Sequence, residues 1–159
     1  MSALVVYATR TGNTRRVAEA VAEALRARGL VVALLDVASA PALVPPGTDL
    51  LLVGGPTEGH GMTPPMASYL QRLDRAGLRD VAAAAFDTRL WWPRILSGSA
   101  ASSIARTLRD KGARVVGEEM SFIVSMKPEL VAGEIDRAAA WARALAEGVD
   151  RRLQVSATL

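Results

Sequence analysis

Three threonines fall within six residues near the start of the chain, Thr9, Thr11 and Thr14, with Arg10 and the pair Gly12-Asn13 between them. Hydroxyls at that density can surround an anion only if the backbone wraps around it. Gly12 lets the chain turn tightly, and Asn13 tolerates the dihedral angles that such a turn needs. A helix-forming stretch follows at once, so its unpaired N–H groups and the positive end of its dipole face into the loop. Arg15 and Arg16 stand where a helix start disfavours cations, a penalty that a bound dianion reverses. The loop reads as a phosphate cradle. The plainer alternative is a helix cap flanked by solvated arginines; the spacing favours the cradle.

Other chemistry-bearing residues are few. The chain has no cysteine, which removes disulfides, thiolate catalysis, cysteine-bound metals and dithiol redox chemistry. A redox role must come from a bound cofactor. The one histidine, His60, lies in the glycine-rich stretch Gly54 to Gly61 and reads equally as a solvated loop residue or a ligand contact. It is poor ground for a metal site or a catalytic dyad. Trp91 and Trp92 stand side by side after Asp87, Thr88 and Arg89. On a regular buried element adjacent tryptophans face different ways; in a loop beside a planar cofactor, one can stack while the other packs. Trp141, Tyr7 and Phe86 read as core.

The elements that must position these residues alternate between short apolar runs and amphipathic stretches, the pattern of a parallel sheet wrapped by helices. Strands are expected at about Leu4 to Thr9, Leu30 to Leu35, Asp49 to Val53 and Val81 to Phe86. A fifth starts at Arg114 to Val116, is interrupted around Gly117 to Glu119, and resumes at Phe122 to Val124. Helices are expected at about Asn13 to Arg28, from Pro64-Pro65 onward, Ser99 to Lys111 and Glu129 to Glu147. Pro41, Pro45 and Pro46 mark a loop with little room for a full helix. Residues 1–150 read as one doubly wound α/β domain and 151–159 as a frayed tail. In such sheets ligands bind outside the carboxyl ends of the strands, so chemistry is expected from the loops after strands one, three and four.

Half of the residues are hydrophobic, enough for a core that needs no staple. The net charge of +3 comes from scattered arginines, and aromatics make up only 4%. Without basic and aromatic side chains interleaved, no surface for nucleic acid is expected. There is no secretory signal pattern and no apolar run of membrane-spanning length, so the protein is expected to be soluble and cytoplasmic.

At Thr9-Arg10-Thr11-Gly12-Asn13-Thr14 the sequence resembles the flavodoxin family, whose phosphate loop reads Thr/Ser-x-Thr-Gly-Asn-Thr after the first strand. The loop is neither a Walker loop nor a dinucleotide fingerprint, and a response-regulator receiver lacks its place here, because Gly-Gly-Pro stands where an acceptor aspartate is required. The resemblance covers nearly the whole chain in element order. It implies a three-layer sandwich with a five-stranded parallel sheet of order 2-1-3-4-5, and bound flavin mononucleotide (FMN). It places the isoalloxazine ring between Pro56, Thr57, Glu58, Gly59 and His60 on one side and Thr88, Arg89, Trp91 and Trp92 on the other. It also implies that Gly59 or Gly61 supplies a peptide that turns to meet the reduced ring. The sequence departs from the family in lacking an aromatic residue in the first of these loops, and in being basic where family carriers are commonly acidic.

The leading expectation is an electron carrier, mostly monomeric, that exchanges electrons with a flavin reductase and an acceptor protein. An FMN-dependent quinone or protoporphyrinogen oxidoreductase and a flavin-free interaction module of the same fold are the alternatives. No nicotinamide site is recognisable, and the phosphate loop is intact.

Overall fold

A computed structural model describes residues 1–158. The elements run β1 (Ser2–Tyr7), α1 (Asn13–Ala27), β2 (Val31–Asp36), β3 (Leu50–Pro56), α2 (Pro64–Arg72), α3 (Arg75–Leu78), β4 (Ala82–Leu90), α4 (Arg94–Ser97), α5 (Ala100–Asp110), β5 (Arg114–Val115), β6 (Met120–Val124) and α6 (Glu134–Ala157). All ladders are parallel, and the sheet order is β2-β1-β3-β4-β5, with β6 also on β4. The architecture expected from the sequence is the one observed. β5 and β6 are the two halves of the interrupted fifth strand: both pair with β4, and the stretch Gly117 to Glu119 between them leaves the ladder.

Apolar side chains alternate between the two faces of the sheet, as the twofold repeat of a strand requires. Val5, Leu50, Leu52, Ala84 and Phe86 face the layer formed by α1 and α6. Leu4, Val6, Leu51, Val53, Ala83 and Ala85 face the layer of α2 and α5. Strands buried on both faces read as unbroken apolar runs for this reason. Under the first layer, Phe86, Phe122 and Trp141 meet edge to face with ring centroids 5.8 to 6.3 Å apart. Gly54 makes room for them, since a Cβ there would lie 2.2 Å from the Phe86 ring.

Some boundaries differ from expectation, and two short helices are added. β4 continues through Asp87 and Thr88 to Leu90, because β6 offers it a ladder over Phe86 to Leu90. The last helix starts at Glu134 rather than near Glu129, because Leu130 bridges back to Val124 and occupies that segment. Burial disfavours the charged form of Glu134, but the Arg137 hydrogen bond, the Ile123 N–H and the Arg137 charge outweigh it and hold its carboxyl below the usual range. The helix then runs to Ala157, so Arg151 to Ala157 are helical, with exposed side chains, where a frayed tail is expected; Leu159 lies outside the described residues. The one-turn helices α3 and α4 carry too few residues for a periodic signal. No helix among the described residues is long and apolar enough to cross a membrane.

Candidate functional site

The loop between β1 and α1 is shaped by Gly12, whose φ of +90° only glycine adopts without strain. Its N–H donates to the Thr9 Oγ1 at 3.1 Å, and Asn13 Nδ2 donates to the Thr11 Oγ1 at 3.1 Å and to the Pro128 carbonyl at 2.6 Å. No side chain caps α1, and its first turn holds no acid. The N–H groups that begin a helix are therefore left for a ligand. Nothing lies within 4 Å of where a Gly12 Cβ would stand, and Thr11 beside it lines an open cleft. Thr14 differs from Thr9 and Thr11. It is buried, and its hydroxyl is 2.7 Å from that of Thr88. Arg15 turns along the helix to Glu19 at 2.9 Å. Arg10 pairs with Glu58, which joins the β1–α1 loop to the loop after β3.

That second loop is a tight hairpin. Glu58 and Gly61 exchange both backbone hydrogen bonds, at 2.8 and 2.9 Å, around Gly59 at φ +51° and His60 at φ +71°. Positive φ at both central residues is the mark of a type I′ turn. His60 is exposed at its tip, and its backbone pairs with Gly98, which follows α4. The loops after β3 and β4 are thus docked on each other.

Asp87, beside Thr88 at the end of β4, is wholly buried. Its Oδ2 accepts from the Ser99 hydroxyl at 2.7 Å, the Ala101 N–H at 3.0 Å and the Thr57 hydroxyl at 3.2 Å. It anchors the start of α5 and the loop after β3, a supporting role. Thr88 is buried against Thr14, and its carbonyl accepts from the Thr57 N–H at 2.9 Å. Arg89 folds into its own loop: one Nη donates to the Trp92 carbonyl at 2.5 Å and reaches Leu90 and Ser97 at 3.3 Å. Its Nε is buried without a partner. Trp91 and Trp92 stay 67% and 45% exposed, so neither belongs to the core.

Thr11, Pro56, Thr57, Thr88 and Arg89 come together around a shallow cleft of about 130 Å³, joined by Leu90 and Val124. Leu90, Val124 and Pro128 are missed by sequence reasoning. Leu90 falls in the loop expected after strand four and Val124 reads as the end of a strand; the pairing of β6 with the extended end of β4 brings both to the cleft. Among the described residues no group of histidine, aspartate and glutamate is placed to hold a metal ion.

A model of the flavodoxin family matches residues 5–148. The chain belongs to the flavodoxin family. Solved structures with the same fold include a flavodoxin from the domain Archaea (22% identity, TM-score 0.76, covering 94% of this chain and 99% of that one). Flavodoxin 2 from Bacillus cereus is similar at 21% identity and TM-score 0.78, covering 93% of this chain and 99% of that one. The flavodiiron protein of Giardia intestinalis is similar over 94% of this chain and 36% of its own length, at 21% identity and TM-score 0.71. Membership of the flavodoxin family carries flavin binding and electron transfer at family level. The residues present fit such a group: the uncapped start of α1 and the buried, unpartnered Arg89 Nε are donors that lack an acceptor within the protein.

Proposed function

We propose that this flavodoxin-family protein binds FMN by its phosphate in the Thr9–Thr14 loop and carries electrons between a flavin reductase and an acceptor protein. The uncapped N-terminus of α1, beside the open cleft at Thr11, carries the reading. The hydroxyls of Thr9 and Thr11 and the N–H groups of the first turn would hold the phosphate. Thr14 would contribute its N–H, while its hydroxyl holds Thr88. The ring would lie between the Pro56–His60 turn and the Thr88–Trp92 segment, with Trp91 or Trp92 supplying the stacking face that the first loop lacks. The bound flavin supplies the one-electron and two-electron chemistry. The protein orients it and leaves one edge reachable.

The short loops after β3 and β4 favour a carrier over an enzyme, because neither is long enough to build a lid over a substrate held against the flavin. Net charge of +3 suits acidic faces on the partners. The test is to purify the protein, release its cofactor by denaturation and identify it, then measure oligomeric state by light scattering and turnover with NAD(P)H and quinones. FMN in a monomer, reduced by a flavin reductase and slow with NAD(P)H alone, is expected. Absence of any bindable flavin refutes the cradle, and fast saturable turnover by a tetramer replaces the carrier with a quinone reductase.

A further inference from the structure

A larger cleft, of about 510 Å³, lies at the carboxyl ends of β1, β2 and β3, alongside α2. It touches the phosphate loop only at Thr9 and Arg10 and does not include Thr11, Thr88 or the tryptophans. Ligands of open α/β sheets lie outside the carboxyl ends of the strands, so the position is right for a second one. The connection from β2 to β3 carries no helix, in keeping with its three prolines.

Three polar groups line this cleft without a partner for all of their capacity. Thr63 is only 4% exposed, and its Oγ1 has no hydrogen-bond partner. It stands at the N-cap of α2, where a hydroxyl ordinarily accepts from the second or third helical N–H; the second residue, Pro65, has none, and no cap bond forms to the third, Met66. Asp36 ends β2. Its Oδ1 accepts from the Ala38 N–H at 2.9 Å, and its Oδ2 has no partner among the described residues. Arg72 ends α2 and forms no ion pair among the described residues. Lys111 holds that end of the helix in place, donating to the Gln71 and Leu73 carbonyls at 3.0 and 2.7 Å. Pro65 and Arg72 both line the cleft, so it runs along about 10 Å of α2, the rise of seven helical residues.

A carboxylate with a free oxygen asks for hydroxyl donors, and an unpaired guanidinium asks for an anion. Between them the floor is apolar, from Ala8, Val37 and Pro56. We infer that this cleft binds a ribose phosphate, the sugar–phosphate part of a nucleotide, with the sugar hydroxyls on Asp36 and the phosphate on Arg72. An acidic side chain at the end of the second strand is chemically suited to ribose hydroxyls. The inference does not rest on the flavin reading, because the groups that carry it lie outside the FMN cradle.

The experiment is calorimetric titration of the full chain saturated with FMN, so that the phosphate loop is filled, using AMP, ribose 5-phosphate, adenosine and inorganic phosphate. AMP and ribose 5-phosphate are expected to bind at one site, and adenosine and phosphate at least about tenfold more weakly, since each loses one charged contact. Asp36→Asn keeps the acceptor for the Ala38 N–H, and Arg72→Gln changes an exposed residue; each should weaken AMP about tenfold or more and leave FMN affinity unchanged. If the protein takes up no flavin, the same titration on Thr11→Glu reads the second cleft with the phosphate loop blocked, so the two readings fail separately. Absence of AMP binding at millimolar concentration, indifference to both substitutions, or loss of AMP binding in Thr11→Glu overturns the inference.

Discussion

The hydroxyls of Thr14 and Thr88 lie 2.7 Å apart, buried, and tie the first turn of α1 to the carboxyl end of β4. Neither has a water-facing alternative. Thr88→Val therefore strands the Thr14 hydroxyl and is expected to lower stability by about 1–3 kcal/mol, whereas Thr14→Val with Thr88→Val recovers most of that loss. Urea unfolding of the two single variants and the double one, without flavin, measures the coupling. A double variant as unstable as the sum of the singles denies it.

The proposed phosphate site requires that apoprotein bind FMN far more tightly than riboflavin. Thr11→Glu places a carboxylate where the phosphate is held and is expected to weaken FMN roughly a hundredfold or more. Flavin fluorescence during titration reads both. Equal affinity for FMN and riboflavin rejects the cradle.

Trp91 and Trp92 should lose fluorescence as FMN binds, and replacing both with alanine should cost about 0.5–1.5 kcal/mol of stacking for each ring that touches the flavin, beyond the lost area. Unchanged affinity in the double variant assigns both residues to another surface.

Gly98 carries the contact between the two ring-side loops. A Cβ there would lie 2.2 Å from the His60 carbonyl oxygen, at φ +71°. Gly98→Ala is expected to cost about 1–3 kcal/mol and to loosen flavin binding as the loops part. Gly61→Ala meets nothing nearer than the Ser103 hydroxyl at 3.6 Å and should be mild by the same melting and titration assays.

Tyr69 sits in the α2 layer with its hydroxyl buried and unpartnered, and burial pushes its pKa from 10.0 up to about 12. The folded state thus keeps the proton more tightly than the unfolded chain. Its contribution is full below pH 10 and is lost as the pH rises through about 12. Tyr69→Phe should match or exceed the parent near neutrality and flatten the alkaline fall in stability, read by denaturation across that range.

Much of this molecule was legible without coordinates because its signals are local. Unbroken apolar runs marked the strands, the proline cluster marked the helix-free connection from β2 to β3, and the Thr9 to Thr14 stretch marked the turn into α1. What stayed hidden depends on pairing between distant segments. Asp87 looks from the sequence like a site residue, because nothing nearby announces that Ser99 and Ala101 will claim its Oδ2. Leu90 reads as a loop residue and Val124 as the end of a strand, and nothing in either segment announces that β6 laid against β4 brings them to one cleft. Arg89 reads as a ring-side residue by the resemblance and is a loop clamp in the fold, since most of its partners are backbone carbonyls, which carry no residue signature.

The three tryptophans divide into two optical populations. Trp141 lies in the apolar interior, whereas Trp91 and Trp92 are 67% and 45% exposed in the loop after β4. Emission from the first should be blue-shifted and from the pair red-shifted, so one spectrum reports the folded interior and the loop as separate bands. Iodide reaches only the loop pair, and energy passed from Trp141 to a yellow chromophore would give an internal ruler from the core to that chromophore.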